Sequence, residues 1–266
     1  MADPHPSPLP GGMMNTVVRR GDRVLRTAPA TAAALHPHLR ALPAAGFDGA
    51  PRPLALNPDG REELGFVEGE VALPPFPDWI AADTALASAA RLLRRYHDAA
   101  ARIPVDTTAP WPADLADPRG GTLLCHNDPC AENLVFRHGS AAALIDFDLA
   151  APGRPLWDVA ALAYYLGPTL PPEAAAGKVW EDLDTARRLR LIADTYGLTG
   201  PDRALLPQTV EEYLAVARRF VAGRVAAGEA AFVRAHTASG GWARWDRRRD
   251  WLADQRPRLV RALTTD

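Results

Sequence analysis

Lysine is almost absent from this sequence. Of the 30 basic side chains in 266 residues only Lys178 is a lysine, so an anion held by a side-chain cation elsewhere must be held by arginine. The net charge of -2 leaves no basic field to recruit nucleic acid or an anionic membrane. Cysteine is scarce too. Cys125 and Cys130 are too few for a disulfide framework, and no second Cys/His pair stands at zinc-ligand spacing, although His126 lies between them. Two reduced thiols fit a cytoplasmic protein. No apolar run approaches the roughly 18 residues of a membrane span. Residues 1–10 carry four prolines and no apolar stretch, unlike a signal or transit peptide, and read as a flexible tail.

What is present is ordinary for a globular chain, with 47% apolar and 23% charged residues. Residues 16–20 and 23–27 read as strands joined at Gly21-Asp22, and 52–56 and 63–67 as a second pair joined by the turn Asn57-Pro58-Asp59-Gly60. Between the pairs, Leu35, Leu39 and Leu42 give 31–45 a helical face ending at Gly46. A proline-rich linker over 71–78 precedes a helix at 82–101, and 104–118 is again proline-rich. Apolar segments at 122–125 and 142–145 read as strands. Helices are expected near 156–166, 180–196, 208–237 and 243–264. The order predicts an α+β protein with two unequal lobes: a sheet with one helix over 11–70, then a helical lobe over 71–266. A cleft between lobes is a preferred ligand site.

The segment GTLLCHNDPCAENLVF, residues 121–136, holds His126, Asp128 and Asn133 in H-x-D-x-x-x-x-N spacing, and Asp146 follows in ALIDFD. That spacing belongs to phosphoryl-transfer sites. A carboxylate at Asp128 suits orienting a hydroxyl and accepting its proton. Asn133 and Asp146 offer the oxygen ligands that Mg²⁺ prefers. His126 is expected to hold the loop through hydrogen bonds. Taken alone, the loop is equally ordinary turn chemistry; the two flanking apolar strands favour the site reading.

CHNDPCAENLVF followed by ALIDFDLAAPGRPLWDVA resembles the aminoglycoside-phosphotransferase and choline-kinase-like superfamily, whose members show H-x-D-x-x-x-x-N, then I-D-[WF]-x-x-A, then G-x-x-x-x-D-[LV]-A. The resemblance runs from about residue 11 to 165 and is specific from 124 to 160. It implies a protein-kinase-like two-lobed fold and ATP- and Mg²⁺-dependent phosphorylation of a hydroxyl on a small polar molecule. It implies that Gly11 and Gly12 cover the nucleotide phosphates, that Arg26 stands at the phosphate-binding lysine position, and that the backbone of Phe66, Val67 and Glu68 meets the adenine edge. It also makes Asp158 a brace for the catalytic loop. Asp148 is either a second metal ligand or a salt-bridging carboxylate, and the alternative for Arg26 is an exposed strand residue.

Three departures stand out. No lysine is available for the nucleotide. The helix at 31–45 has no acidic residue to pair with such a cation, leaving Glu62, Glu63 or Asp48 as substitutes. The strand that should lead into the glycines is missing. A nucleotide-binding or partner-binding pseudokinase is therefore the alternative to an enzyme; a protein kinase is not, since no activation segment separates Asp148 from Gly153. Glu211 and Glu212 are the acidic candidates for a substrate, although residues 240–266 hold seven Arg against four Asp, which disfavours a polyamine. Trp242, Trp245 and Trp251 read as helix packing. Nothing in the sequence bears on oligomeric state.

Overall fold

A computed structural model describes residues 7–8 and 17–265. The first lobe is a five-stranded antiparallel sheet in the order β1 (Ser7–Pro8), β2 (Val18–Arg20), β3 (Arg23–Thr27), β5 (Arg61–Gly65), β4 (Pro53–Leu56). Each expected turn closes its hairpin. Gly21 takes a positive φ of 62° between β2 and β3, and Asn57 and Gly60 hold the β4–β5 turn through the Gly60 N–H to Asn57 carbonyl bond at 3.0 Å. The expected helix is shorter than its pattern, α1 spanning Ala32–Ala41. It buries Leu35 and Leu39 in a hydrophobic core that runs through both lobes, with Leu42 just beyond its end.

Two expectations about the first ten residues need correcting. Ser7 and Pro8 are not tail: they pair with Arg19 and Val18 and form the sheet's edge. A short strand ahead of the glycines is therefore present. Proline suits that place because an edge strand has a side that needs no N–H donor. Gly11 and Gly12 lie outside the described residues.

The lobes are joined by the segment around Gly69, which lies against the second lobe. Glu70 and Phe136 exchange both backbone hydrogen bonds, at 3.0 and 2.7 Å. Gly69 has a φ of 137°, and a Cβ there would stand 2.4 Å from Val135 Cγ1 and 2.6 Å from the Phe136 carbonyl. Only glycine allows that approach.

In the second lobe α2 (Asp83–Ala100) buries an almost continuous face from Ala85 to Ala100. Four short strands follow: β6 (Leu123–Cys125), β7 (Leu134–Arg137), β8 (Ser140–Leu144) and β9 (Ala151–Gly153). They form two antiparallel pairs, β6 with β9 and β7 with β8. His138 and Gly139, both at positive φ, make the tight β7–β8 turn. The rest is helical: α3 (Pro155–Leu166), α4 (Pro172–Ala175), α5 (Thr185–Tyr196), α6 (Gly200–Ala226), α7 (Ala230–Ala238) and α8 (Gly241–Thr264).

The helix expected over 208–237 is two helices, and the first starts at Gly200. Pro201 sits in its first turn, where a missing N–H costs nothing, and the break falls at Gly228 with a φ of 74°. The helix expected from 180 begins at Thr185, where the Asp184 carboxylate accepts the Arg187 N–H at 2.8 Å as an N-cap. Trp245 is core, and Trp242 and Trp251 pack against it as expected. Among the described residues no helix is long and apolar enough to cross a membrane. Cys125 and Cys130 are buried free thiols whose ionisation burial pushes well up, so neither is a ready nucleophile.

Candidate active site

The loop between β6 and β7 is held from below by a carboxylate. Asp158, fully buried near the start of α3, accepts the His126 N–H on Oδ2 and the Asn127 N–H on Oδ1, each at 2.7 Å. His97 of α2 donates to Oδ2 at 3.0 Å, and its other ring nitrogen meets the Tyr196 hydroxyl at 2.7 Å. The Tyr213 hydroxyl of α6 donates to the Asn127 carbonyl at 2.8 Å. Asn127 itself takes a left-handed φ of 66°, and its side-chain amide donates to the Leu149 carbonyl at 2.8 Å. An asparagine tolerates that conformation better than most residues.

His126 makes hydrogen bonds of the loop-holding kind. Its Nε2 donates to the Ile145 carbonyl at 2.9 Å, its Nδ1 accepts the Asp128 N–H at 3.3 Å, and its ring lies 4.5 Å from that of Phe147.

The loop thereby places Asp128 beside Asn133. The Asn133 amide nitrogen donates to the Asp128 carbonyl at 3.0 Å and to its carboxylate at 3.1 Å, which leaves the amide oxygen available for a cation. Burial raises the Asp128 carboxyl above its ordinary value, while the Tyr165 hydroxyl and the Asn133 amide pull it back. Asp146 follows β8 in a left-handed conformation, φ 61° and ψ 68°. Asp148 lies within the short 3₁₀ turn Phe147–Leu149.

Arg26 connects the lobes. It is 7% exposed, so the exposed-strand reading fails. Its Nε donates to Glu62 at 2.7 Å, Nη1 to Asp146 at 2.9 Å and Nη2 to Asp148 at 2.5 Å. Burial opposes the charge on Arg26, but the three carboxylates outweigh it and keep it protonated. Burial, then Asp146, pushes the Asp148 carboxyl up. One guanidinium thus faces three carboxyl groups, an excess of acidic groups over cations.

That excess, with the oxygens of Asn133, Asp146 and Asp148, fits a hard divalent cation. Among the described residues no three His, Cys, Asp or Glu side chains form a metal-binding group. The remaining ligands must come from elsewhere, as in sites where nucleotide phosphates complete the shell.

Of the three substitutes for the missing helix glutamate, Glu62 is the one used. Glu63 pairs with Arg23 at 2.9 Å and Asp48 with Arg95 at 3.4 Å, both on the surface. Phe66 spends its N–H on the Asp22 carbonyl at 2.8 Å, and the guanidinium of Arg19 covers its ring at 3.6 Å. The Phe66 N–H is therefore already committed, which leaves that expectation to the Phe66 carbonyl and to Val67 and Glu68. The Glu68 carbonyl already accepts the Arg137 Nε–H at 2.7 Å.

The acidic substrate candidates are compensated internally. Arg256 grips Glu211 with two bonds at 2.7 and 2.5 Å, and Arg119 takes Glu212 at 2.5 Å. Each has an arginine partner, while Glu212 Oε2 is buried with no hydrogen-bond partner among the described residues.

The sequence reading did not find His36, His97, Tyr165 or Tyr213. The tyrosines left one usable signal: a phenol on an apolar helix face needs a hydroxyl partner when buried.

Comparison with known proteins bears on the family and the fold. The profile of the phosphotransferase enzyme family matches residues 108–192, the stretch that carries Asp128 to Asp158. The trifolitoxin immunity protein of Rhizobium leguminosarum bv. trifolii is 33% identical over 203 residues, covering 73% of this chain and 75% of that protein. Among solved structures, a choline/ethanolamine kinase family protein from Mesorhizobium loti superposes with a TM-score of 0.66 at 17% identity, over 98% of this chain and 93% of the other. Aminoglycoside phosphotransferase APH(3'')-Id from Streptomyces rimosus, in complex with ADP and streptomycin, gives a TM-score of 0.53 at 18% identity, over 80% and 92%. These two share the kinase-like two-lobed fold. The chain belongs to the phosphotransferase enzyme family.

Proposed function

We propose that this protein is an ATP-dependent phosphotransferase that phosphorylates a hydroxyl group of a small polar molecule. The observation that carries the reading is the convergence of Asp128, Asn133 and Asp146 on loops around β6–β8, opposite a cation from the other lobe. The acceptor hydroxyl hydrogen-bonds Asp128, which orients its oxygen toward the γ-phosphorus and receives its proton. The new O–P bond forms as the bond between γ-phosphorus and the β–γ bridging oxygen breaks, and ADP leaves. Asn133 and Asp146, with Asp148, would hold Mg²⁺. When bound, that ion neutralises charge on the phosphates. Arg26 contributes a fixed positive charge and a planar fork suited to phosphate oxygens. Val67 and Glu68 would offer backbone groups to the nucleobase.

The immunity relative directs the acceptor search toward toxins, with phosphorylation as the proposed protection. Internal pairing of Glu211 and Glu212 argues against a polycation such as streptomycin. Use of ATP and two free thiols suit a cytoplasmic site of action.

A second reading, nucleotide binding without transfer, draws on the hold of Arg26 on both Asp146 and Asp148. One experiment separates the two. The pure protein is titrated calorimetrically with ATP, with and without Mg²⁺, then assayed for ADP release against a panel of hydroxylated antibiotics and metabolites. Enzyme function requires magnesium-dependent binding and acceptor-dependent turnover that falls by about three orders of magnitude in Asp128→Asn. Binding without turnover on any acceptor selects the second reading.

A further inference from the structure

Arg26 is anchored from within its own sheet. Arg26 and Glu62 are directly opposed across β3 and β5, at the Cβ spacing where cross-strand pairs interact. Glu62 is 1% exposed, and its Oε1 receives Arg26 Nε at 2.7 Å. Its other oxygen, Oε2, lies 2.6 Å from Nε2 of His36, which is 3% exposed on α1. The buried carboxylate is thus held at both ends, by the strand arginine on one side and by the helix on the other.

We infer that Glu62 and His36 are positioning residues for the nucleotide, Glu62 setting the orientation of the Arg26 guanidinium and His36 fixing Glu62. The inference rests on the nucleotide reading of the cleft. Three features of the geometry support it. The anchor uses Nε, so both Nη groups of the planar fork face the cleft acids, Asp146 and Asp148. A lysine has one nitrogen and cannot hold Glu62 and present two donors together. The sheet also fixes the Arg26–Glu62 register independently of α1. In protein kinases the corresponding cation is paired with a glutamate on the helix, so helix position controls the pair. Here a shift of α1 cannot separate Arg26 from Glu62. It reaches the cation only by freeing Oε2, after which the Glu62 side chain can rotate and carry the guanidinium with it.

The test compares wild type with Glu62→Gln, His36→Leu and His36→Gln, whose amide nitrogen reaches about as far as Nε2. Two quantities are read: calorimetric affinity for ATP with Mg²⁺, and the NMR cross-peak of the Arg26 Nε–Hε, assigned by its loss in Arg26→Lys. Loss of a charge-assisted bond predicts about tenfold weaker nucleotide binding in His36→Leu and Glu62→Gln, with a shifted or broadened cross-peak. His36→Gln should restore both. If His36→Leu does not fold, His36→Asn, polar but too short to reach Glu62, replaces it. Unchanged affinity and an unchanged cross-peak in the Leu or Asn variant overturn the inference, and so does a Gln variant no better than they are. Should wild type bind no nucleotide, the functional reading falls, and the cross-peak alone decides whether His36 positions the guanidinium.

Discussion

Asp158 and Asn127 meet through one hydrogen bond, Asn127 N–H to Asp158 Oδ1 at 2.7 Å, in a part of the protein where neither residue is exposed. The other carboxylate oxygen takes the His126 N–H and the His97 ring. An amide at this position would lose an acceptor and turn an N–H₂ toward backbone donors. Asp158→Asn is therefore expected to lower unfolding stability by about 2 kcal/mol, the cost of an unsatisfied buried donor. Because the misplaced groups lie next to Asp128, turnover should also fall, by about a hundredfold. Thermal unfolding and steady-state kinetics on one preparation check both. Full activity in a destabilised variant would show that Asp158 supports the fold and not the placement of Asp128.

Much of this site is legible in the sequence because it is local. His126, Asp128 and Asn133 lie in one loop, and Asp146 is one hairpin away, so spacing alone brings them together. Glu62 is nearly legible: two hairpins on one sheet place it opposite Arg26 once the strand register is known. His36 is not. A helix residue touches a strand residue only after tertiary packing sets the helix against the sheet, and the Leu35, Leu39 and Leu42 face does not say which strand residue lies opposite His36. Tyr213 lies 86 positions from the carbonyl it supports, and its position on α6 looks the same whether its hydroxyl ends in a site or in the core. The two misplaced helix starts have a simpler cause. Pro207 suggests a first turn, but the helix begins at Gly200, and the Asp184 cap is hidden among other acids.

The guanidinium between Asp146 and Asp148 bears on metal binding. With Arg26 bonded to one oxygen of each, a divalent ion meets a site already partly neutralised. Nucleotide-free protein should bind Mg²⁺ weakly, and ATP should bind at least about tenfold tighter with Mg²⁺ than without it. Asp146→Asn should abolish that difference. Calorimetric titrations in both orders of addition measure it, and tight Mg²⁺ binding without nucleotide would contradict the arrangement.

Glu211 and Glu212 supply a negative control for substrate recognition. Each is held by an arginine near the surface, where such pairs contribute about 1 kcal/mol or less. Glu211→Gln and Glu212→Gln should leave the acceptor KM within about twofold and change stability only slightly. A large rise in acceptor KM, with the nucleotide KM unmoved, would restore them as substrate ligands.

One acid sensitivity is expected from a group outside the cleft. His38 on α1 is 5% exposed, and neither ring nitrogen has a hydrogen-bond partner in the described structure. Burial lowers its pKa from 6.5 to about 4. The folded protein therefore keeps His38 neutral over a range in which the unfolded chain takes up a proton. Between these two pH values the unfolded state binds more protons, so stability falls as pH is lowered. Above 6.5 the contribution is constant. Once the pH is below both values the whole effect, about 3 kcal/mol, has been lost. His38→Leu removes the titration while keeping a similar volume. Urea unfolding of both proteins at about pH 7.5 and pH 4.5 should show the variant gaining about 2 kcal/mol on wild type at the lower pH. A stability difference that is the same at both pH values would mean that His38 is protonated inside the fold, and that α1 supplies it a partner absent from this structure.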